Sequence, residues 1–270
     1  MSDQDLRQRL ELARQIAVSA GNITLNFFRT PDLGVEIKSD GSPLTQADQQ
    51  CELALREAIA REFPQDGIVG EEYGSASGTS GWDWILDPID GTKAFVAGVP
   101  LYGTMVAAAR NGRADVGVLF FPGLQQGIFA GRGLGAWYFD HQTQPRKASV
   151  SRKSKLSQSI FVTSAVETFN KRNAKPVYER MADSVFFART WGDAYGYMMV
   201  ALGQVDIQID PILKIWDAAA VQPIIEEAGG RFSDWSGRPK IDSGDSLATN
   251  GLLHDEVLRI LATAPPYEHE

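Results

Sequence analysis

Residues 82–96 read WDWILDPIDGTKAFV and set two carboxylates, Asp87 and Asp90, at the end of an apolar run, directly before Gly91-Thr92. A carboxylate pair there packs badly, so the position asks for a cationic ligand. Pro88 ends ladder pairing and stiffens the turn. Gly91 lets the backbone approach a ligand closely, and Thr92 adds a hydroxyl. Lys93-Ala94-Phe95 then begins a helix, whose N-terminus favours phosphate. Three further acids belong to the inventory: Glu71 and Glu72 in IVGEEYG and Asp217 in IWDAAA. Glu72 by itself reads as a surface charge. The others form an oxygen-only donor set that suits Mg²⁺ or Mn²⁺ rather than zinc. The chemistry this implies is divalent cations held over a phosphate ester.

Other chemistries fit less well. His141, His254 and His269 lie away from these motifs, and neither HExxH nor a Ser-His-Asp arrangement is visible. Gly244-Asp245-Ser246-Leu247 matches a hydrolase motif, but its neighbours offer no triad order and it reads as a loop. Phosphatases of the haloacid dehalogenase type use Asp-x-Asp-Gly-Thr with the first Asp as a covalent nucleophile, whereas here the spacing is Asp-x-x-Asp-Gly-Thr. In a strand, residues i and i+2 share a face and i and i+3 do not. Direct attack by a metal-bound water is the better fit.

The elements that must position these groups are legible from periodicity. DLRQRLELARQIAVSAGNITLNFF places Leu6, Leu10, Ala13, Ala17, Ala20 and Leu25 at helical spacing. TQADQQCELALREAIAREF is a second helix, with Thr45 and Asp48 as a capping pair. From Ile68 to Phe129, short apolar runs broken by Gly, Asn or Pro predict an antiparallel sheet, with a hairpin turn at Asn111-Gly112. GRGLGAW is not a dinucleotide fingerprint and reads as a turn. DHQTQPRKASVSRKSKLSQS is polar and basic, a solvated connector that divides the chain into an α+β half, 1–145, and an α/β half, 146–270. In the second half, strands such as VDIQID alternate with helices such as AYGYMMVALGQ.

Bulk properties narrow the class further. The 270 residues suffice for a substantial core, and 43% apolar with 22% charged content is ordinary for a globular protein. A net charge of -8 argues against a nucleic-acid partner but not against a small anion, because bound cations invert the local field. The single cysteine, Cys51, permits no intrachain disulfide and reads as buried packing. The polar start MSDQDLRQRL is no secretory signal, and no apolar run approaches the roughly 18 residues a membrane span needs. The expectation is a soluble cytoplasmic protein with no membrane partner.

VGEE, WILDPIDGTKAF and IWDAAAVQPIIEEAGG, in that order, resemble the inositol monophosphatase-like superfamily of Mg²⁺-dependent, lithium-sensitive phosphatases. The resemblance runs from the first helix through SLATNG. It implies an α/β fold, a five-layered αβαβα sandwich, and commonly a homodimer. It implies Glu71, Asp87, Asp90, Asp217 and the Ile89 carbonyl as metal ligands for two or three Mg²⁺ ions, and Gly91 and Thr92 as phosphate binders. It further implies Thr92 and Asp48 as the pair that orients and deprotonates the attacking water, Glu71 as a catalytic as well as a ligating group, and Lys38 as a basic residue near the metals.

RTWGDAYGYMMVALGQVDIQIDPILKIWDAAA departs from the Gly-Ser-Ala-Ala pattern of inositol-specific members and is more similar to the histidinol-phosphate phosphatase branch. GTKAF, in place of Gly-Thr-x-Asn-Phe, points the same way. Histidinol phosphate carries a cationic amine and an imidazole. Asp193 and Asp210 offer an acidic wall for the cation, and Trp191 or Tyr195 an aromatic contact. Arg189 shapes that wall by pairing with one of the acids, while Asp193 has a second reading as a helix N-cap. The alternatives are an inositol monophosphatase or broad sugar or nucleotide phosphatase, and a non-catalytic relative that binds metal or a partner.

Overall fold

The computed structural model describes residues 3–30, 33–38, 41 and 43–265; His269 lies outside them. Helix α1 (Asp3–Ile23) turns Ala13, Ile16, Ala17 and Ala20 inward at the expected spacing. It stops short of Leu25, because the chain tightens into a single 3-10 turn at Thr24–Asn26 and leaves Leu25 exposed. A short ladder, β1 (Glu36–Ile37) with β2 (Pro43–Leu44), leads into α2 (Gln46–Glu62). Thr45 and Asp48 form the expected capping box at its start.

Next come β3 (Gly67–Gly70), β4 (Gly74–Ala76), β5 (Asp83–Asp90), the short helix α3 (Thr92–Val96), β6 (Gly103–Arg110), β7 (Arg113–Phe121), β8 (Gln126–Gly131), β9 (Gly135–Asp140) and β10 (Arg146–Lys147). The strands form one eight-stranded sheet in the order β10-β9-β8-β7-β6-β5-β3-β4. It is antiparallel except that β3 runs parallel to β5, so the expectation of a purely antiparallel sheet needs that correction. Asn111 (φ 52°) and Gly112 (φ 74°) both adopt the left-handed region, the geometry of a tight hairpin turn. The GRGLGAW segment turns as expected, but its last residues open β9.

The chain then crosses to a second sheet through β11 (Ile160–Val162), α4 (Val166–Lys171), α5 (Lys175–Ser184), β12 (Phe187–Arg189), α6 (Asp193–Ala201), β13 (Ile207–Asp210), α7 (Ile215–Ala219), α8 (Val221–Glu227), β14 (Arg231–Ser233), β15 (Ser246–Thr249) and α9 (His254–Leu261). Its strand order is β12-β11-β13-β15-β14. Ser246 and Leu247 are strand residues of β15, so the GDSL segment is not simply the loop its sequence suggests.

Alternation along β5 shows how the layers form. Trp84 and Leu86 pack outward with α1 and α2, while Ile85 packs inward with α6 and α8. That inner apolar layer continues onto Val162, Phe232 and Ala248 of the second sheet. The far face of the second sheet, Phe161, Ile207, Ile209 and Leu247, buries against α5 and α9. The result is the expected α/β sandwich, five layers in the order αβαβα. Cys51 is buried, and no helix among the described residues is long and apolar enough to cross a membrane.

One histidine is locked inside this frame. His254 is fully buried, its Nε2 2.9 Å from the Ser233 hydroxyl and its Nδ1 3.0 Å from that of Thr249. Burial, then the Arg231 charge, pushes its pKa down from 6.5 to about 4. The unfolded chain therefore binds a proton that the folded chain refuses, and folding stability falls as pH drops from 6.5 toward 4. Relative to a His254→Gln variant, the wild type should lose about 2 kcal/mol between neutral pH and pH about 4.5. Urea unfolding across that range checks it, and a pH-independent difference between the two proteins would refute it.

Candidate active site

β5 carries the central acids on a buried strand, and its end is irregular. Asp87 pairs with Met105 and Asp90 with Gly103, so three steps on β5 oppose two on β6. This bulge at Pro88 changes the facing rule. In a regular strand the i, i+3 pair would diverge, but here the Asp87, Asp90 and Asp217 carboxylates converge, with oxygens within 4.8 Å of one another. Asp217 arrives from α7, which lies between the sheets, and its carboxylate accepts the Lys214 N–H at 2.7 Å.

Glu71 is brought beside Asp87 by the parallel β3–β5 pairing, with its N–H donating to the Leu86 carbonyl at 3.2 Å. Lys38 donates to both Glu71 and Glu72 at 2.7 Å. Burial alone would lower the Lys38 pKa, but those two carboxylates outweigh it and raise it. Glu72 is thus not a free surface charge; burial holds its pKa near 7 despite Lys38.

The turn beneath the acids is pinned from below. The Pro88 carbonyl accepts the Thr104 hydroxyl at 2.8 Å, and Ile89, Phe95, Tyr102 and Ala47 form a small apolar cluster under α3. Gly91 sits at φ 78°, and a Cβ there would lie 3.1 Å from the Asp193 carboxylate. The Thr92 hydroxyl donates to the Ile89 carbonyl at 3.0 Å. That carbonyl keeps a second lone pair. Asp48 accepts the Thr45 N–H and hydroxyl on one oxygen, while its other oxygen is buried and has no hydrogen-bond partner. Thr92 and Asp48 do not hydrogen-bond each other.

The electrostatics point one way. Burial, then Glu71, Asp90 and Asp217, drives the Asp87 pKa well up. Burial, then Asp193 and Asp217, does the same for Asp90. Asp217 is raised to about 7 and Asp48 to about 6, each chiefly by burial. One Asp87 oxygen is buried without a partner. Crowded acids with orphaned oxygens and one nearby ammonium lack positive charge, which is what a hard divalent cation supplies. The residues fit such an ion.

The substrate-side expectations fare unevenly. Asp193 lines a cleft of ≈560 Å³ with Asp90, Gly91, Thr92 and Asp217. It sits at φ 53° with its N–H donating to the Ser164 hydroxyl, and the next N–H, of Ala194, donates to Asp90. Its side chain does not cap α6, which corrects the N-cap reading. Gly192 is required, since a Cβ would fall 2.2 Å from the Ser164 Cα. Asp210 lines the cleft, but its carboxylate accepts from Thr163, Ser164, Tyr197 and Gln208. Its acceptor positions are filled, so it is no free wall for a cation. Arg189 is exposed, donates to the Ala188 carbonyl and stacks over Phe187 without pairing to either acid. Trp191 is 40% exposed, edge-on to Phe187 and outside the cleft lining. Tyr195 packs edge-on against Phe121.

Sequence reasoning missed Ser164 and Glu52. Buried Glu52 accepts the Glu72 and Tyr73 N–H groups and the Arg56 guanidinium, and so holds the turn that carries Glu71. A lone Glu in a helix gives no sign of this.

Known proteins match this arrangement. The profile of the inositol monophosphatase family matches residues 5–265. A histidinol-phosphatase of Mycobacterium tuberculosis is 38% identical over 249 residues, 92% of this chain and 96% of that protein. One from Chlorobaculum parvum is 39% identical over 240 residues, 89% of this chain and 91% of that protein. An inositol monophosphatase structure from Zymomonas mobilis superposes with a TM-score of 0.84 at 30% identity, covering 97% of this chain and 100% of that one.

Like-charge crowding makes a prediction of opposite sign with and without metal. Metal-free Asp217→Asn should unfold at a higher temperature than metal-free wild type. Mg²⁺ at about a hundred times its Kd should stabilise the wild type by about 2.7 kcal/mol and the variant by far less. Thermal unfolding with Mg²⁺ and with chelator reads both; equal metal stabilisation of the two proteins would remove Asp217 from the ligand set.

Proposed function

The chain belongs to the inositol monophosphatase family and is a phosphoric monoester hydrolase, and we propose that its substrate is L-histidinol phosphate, hydrolysed to L-histidinol and phosphate in histidine biosynthesis. The observation that carries this reading is the near full-length similarity to histidinol-phosphatases, joined to a cleft whose walls are acidic. Asp87, Asp90, Asp217, Glu71 and the Ile89 carbonyl would hold two or three Mg²⁺ ions, with Mn²⁺ as a substitute. Bound Mg²⁺ supplies charge neutralisation at the phosphoryl oxygens and a lower pKa for water.

The chain's own groups do the rest. Gly91 and Thr92 bind the phosphate through their backbone N–H groups. The partnerless Asp48 oxygen takes a proton from water that Thr92 helps to orient. Lys38 donates to both Glu71 and Glu72 and so sets a positive charge beside the cluster. Asp193 receives the substrate ammonium, and Asp210 acts one step back by fixing Ser164, which holds the Asp193 N–H. The halves 1–145 and 146–270 work as one unit, since the cleft takes residues from both. We further propose a cytoplasmic homodimer with no nucleic-acid or membrane partner. Phe186 is 69% exposed beside Phe187, Trp191 and Arg189, an aromatic face that a second copy would cover.

Phosphate release from L-histidinol phosphate and from inositol 1-phosphate, measured side by side in Mg²⁺, tests the substrate. kcat/KM should favour histidinol phosphate by about 100-fold or more, equivalent to about 3 kcal/mol. Equal values, or a preference for inositol phosphate, would leave the metal site standing and remove the substrate assignment. Asp90→Asn should lower kcat by at least about 100-fold, and near wild-type turnover at saturating Mg²⁺ would contradict the role of Asp90.

A further inference from the structure

Lys93 and Glu167 line the cleft from opposite walls. Lys93 lies on α3, which follows β5 of the large sheet, and Glu167 lies in the first turn of α4, which follows β11 of the small one. Their charged groups are 3.5 Å apart across the mouth, with side chains 76% and 58% exposed. That is longer than the roughly 2.8 Å of a tight charge-assisted hydrogen bond. An ion pair this open stabilises the chain little, so an entering ligand can replace it at small cost.

The other acids of the cleft are committed. Asp90 and Asp217 form the cation cluster, and Asp210 has its acceptor positions filled by four internal donors. Asp193 lies over Gly91, close to the phosphate position. Glu167 is the carboxylate left facing the mouth.

The order of groups on the ligand matches the order of acids in the cleft. In an amino-alcohol phosphate the ammonium sits beside the ester, within reach of the inner acid, Asp193. A heterocycle at the far end of the same molecule reaches outward. We propose that Glu167 is a specificity-determining residue that accepts a hydrogen bond from the distal imidazole N–H, and that Lys93 is the internal cation it releases to do so. This rests on the substrate reading above and deepens it. No covalent step is involved; one ion pair is exchanged for one charge-assisted hydrogen bond.

The test compares L-histidinol phosphate with L-2-aminopropyl phosphate, which keeps the ester and the ammonium and lacks the imidazole. The readout is the ratio of their kcat/KM values, in which any contact of Lys93 with the shared phosphate cancels. Glu167→Gln should lower the ratio about threefold or more, while activity on the aminopropyl ester stays near wild type and shows that the variant is folded. Lys93→Met should raise the ratio about twofold by freeing Glu167. A ratio unmoved by both variants overturns the proposal, as does a ratio that falls in Lys93→Met. Failure of the substrate reading itself is seen separately, in a wild type that shows no preference for histidinol phosphate over inositol 1-phosphate.

Discussion

The constraint on which the rest of the structure depends is the crowding of Asp87, Asp90 and Asp217, whose carboxylate oxygens lie within 4.8 Å of one another in a largely buried site. Left to themselves, three such groups disfavour ionisation and resist being packed together. The surroundings of the cluster compensate in part. Lys38 stands against Glu71 and Glu72, the Ala194 N–H at the start of α6 meets Asp90, and the Lys214 N–H meets Asp217. None of these equals a full opposing charge at the centre. One Asp87 oxygen, and one Asp48 oxygen nearby, have no partner at all. The arrangement makes physical sense as a receptor for divalent cations, and the αβαβα fold is the scaffold that forces the acids together.

The fold achieves this with elements from both sheets. β5 ends in a bulge that turns Asp90 toward Asp87, and parallel pairing with β3 puts Glu71 alongside. α7 brings Asp217 from the layer between the sheets. The start of α6 closes the other side, fixed by the close contact of Gly192 with Ser164 and by the left-handed Asp193. Backbone strain of that kind persists only where the surroundings enforce it. Here the Asp193 N–H bond to the Ser164 hydroxyl and the Ser164 N–H bond to Asp210 do so, with Tyr197 and Gln208 behind them.

Much of this was readable from the chain before any coordinates. The α2 capping box, the Asn111-Gly112 turn and the buried β5 follow from local chemistry, whereas the meeting of Asp217 with Asp87 and Asp90 was implied only by the family resemblance. What escaped depends on tertiary contact. Facing rules for a regular strand could not anticipate the bulge, although Pro88 was its signal. The parallel β3–β5 pair is a non-local choice that short apolar runs do not encode. Asp210 looked like a free acid because sequence cannot reveal four internal donors, and Trp191 and Arg189 looked like cleft residues although Arg189, at the end of β12, and Trp191, just after it, lie against Phe187. Glu52, a lone acid within α2, gives no local sign that it is a buried clasp for the turn carrying Glu71.

Anomalous diffraction from crystals soaked in Mn²⁺ and inorganic phosphate would show directly whether these acids hold cations. Metal peaks are expected bounded by Asp87, Asp90 and Asp217, with Glu71 and the Ile89 carbonyl completing the coordination and phosphate oxygens toward Gly91 and Thr92. An enzyme that hydrolyses its ester under the same conditions with no metal peak among those three aspartates would contradict it.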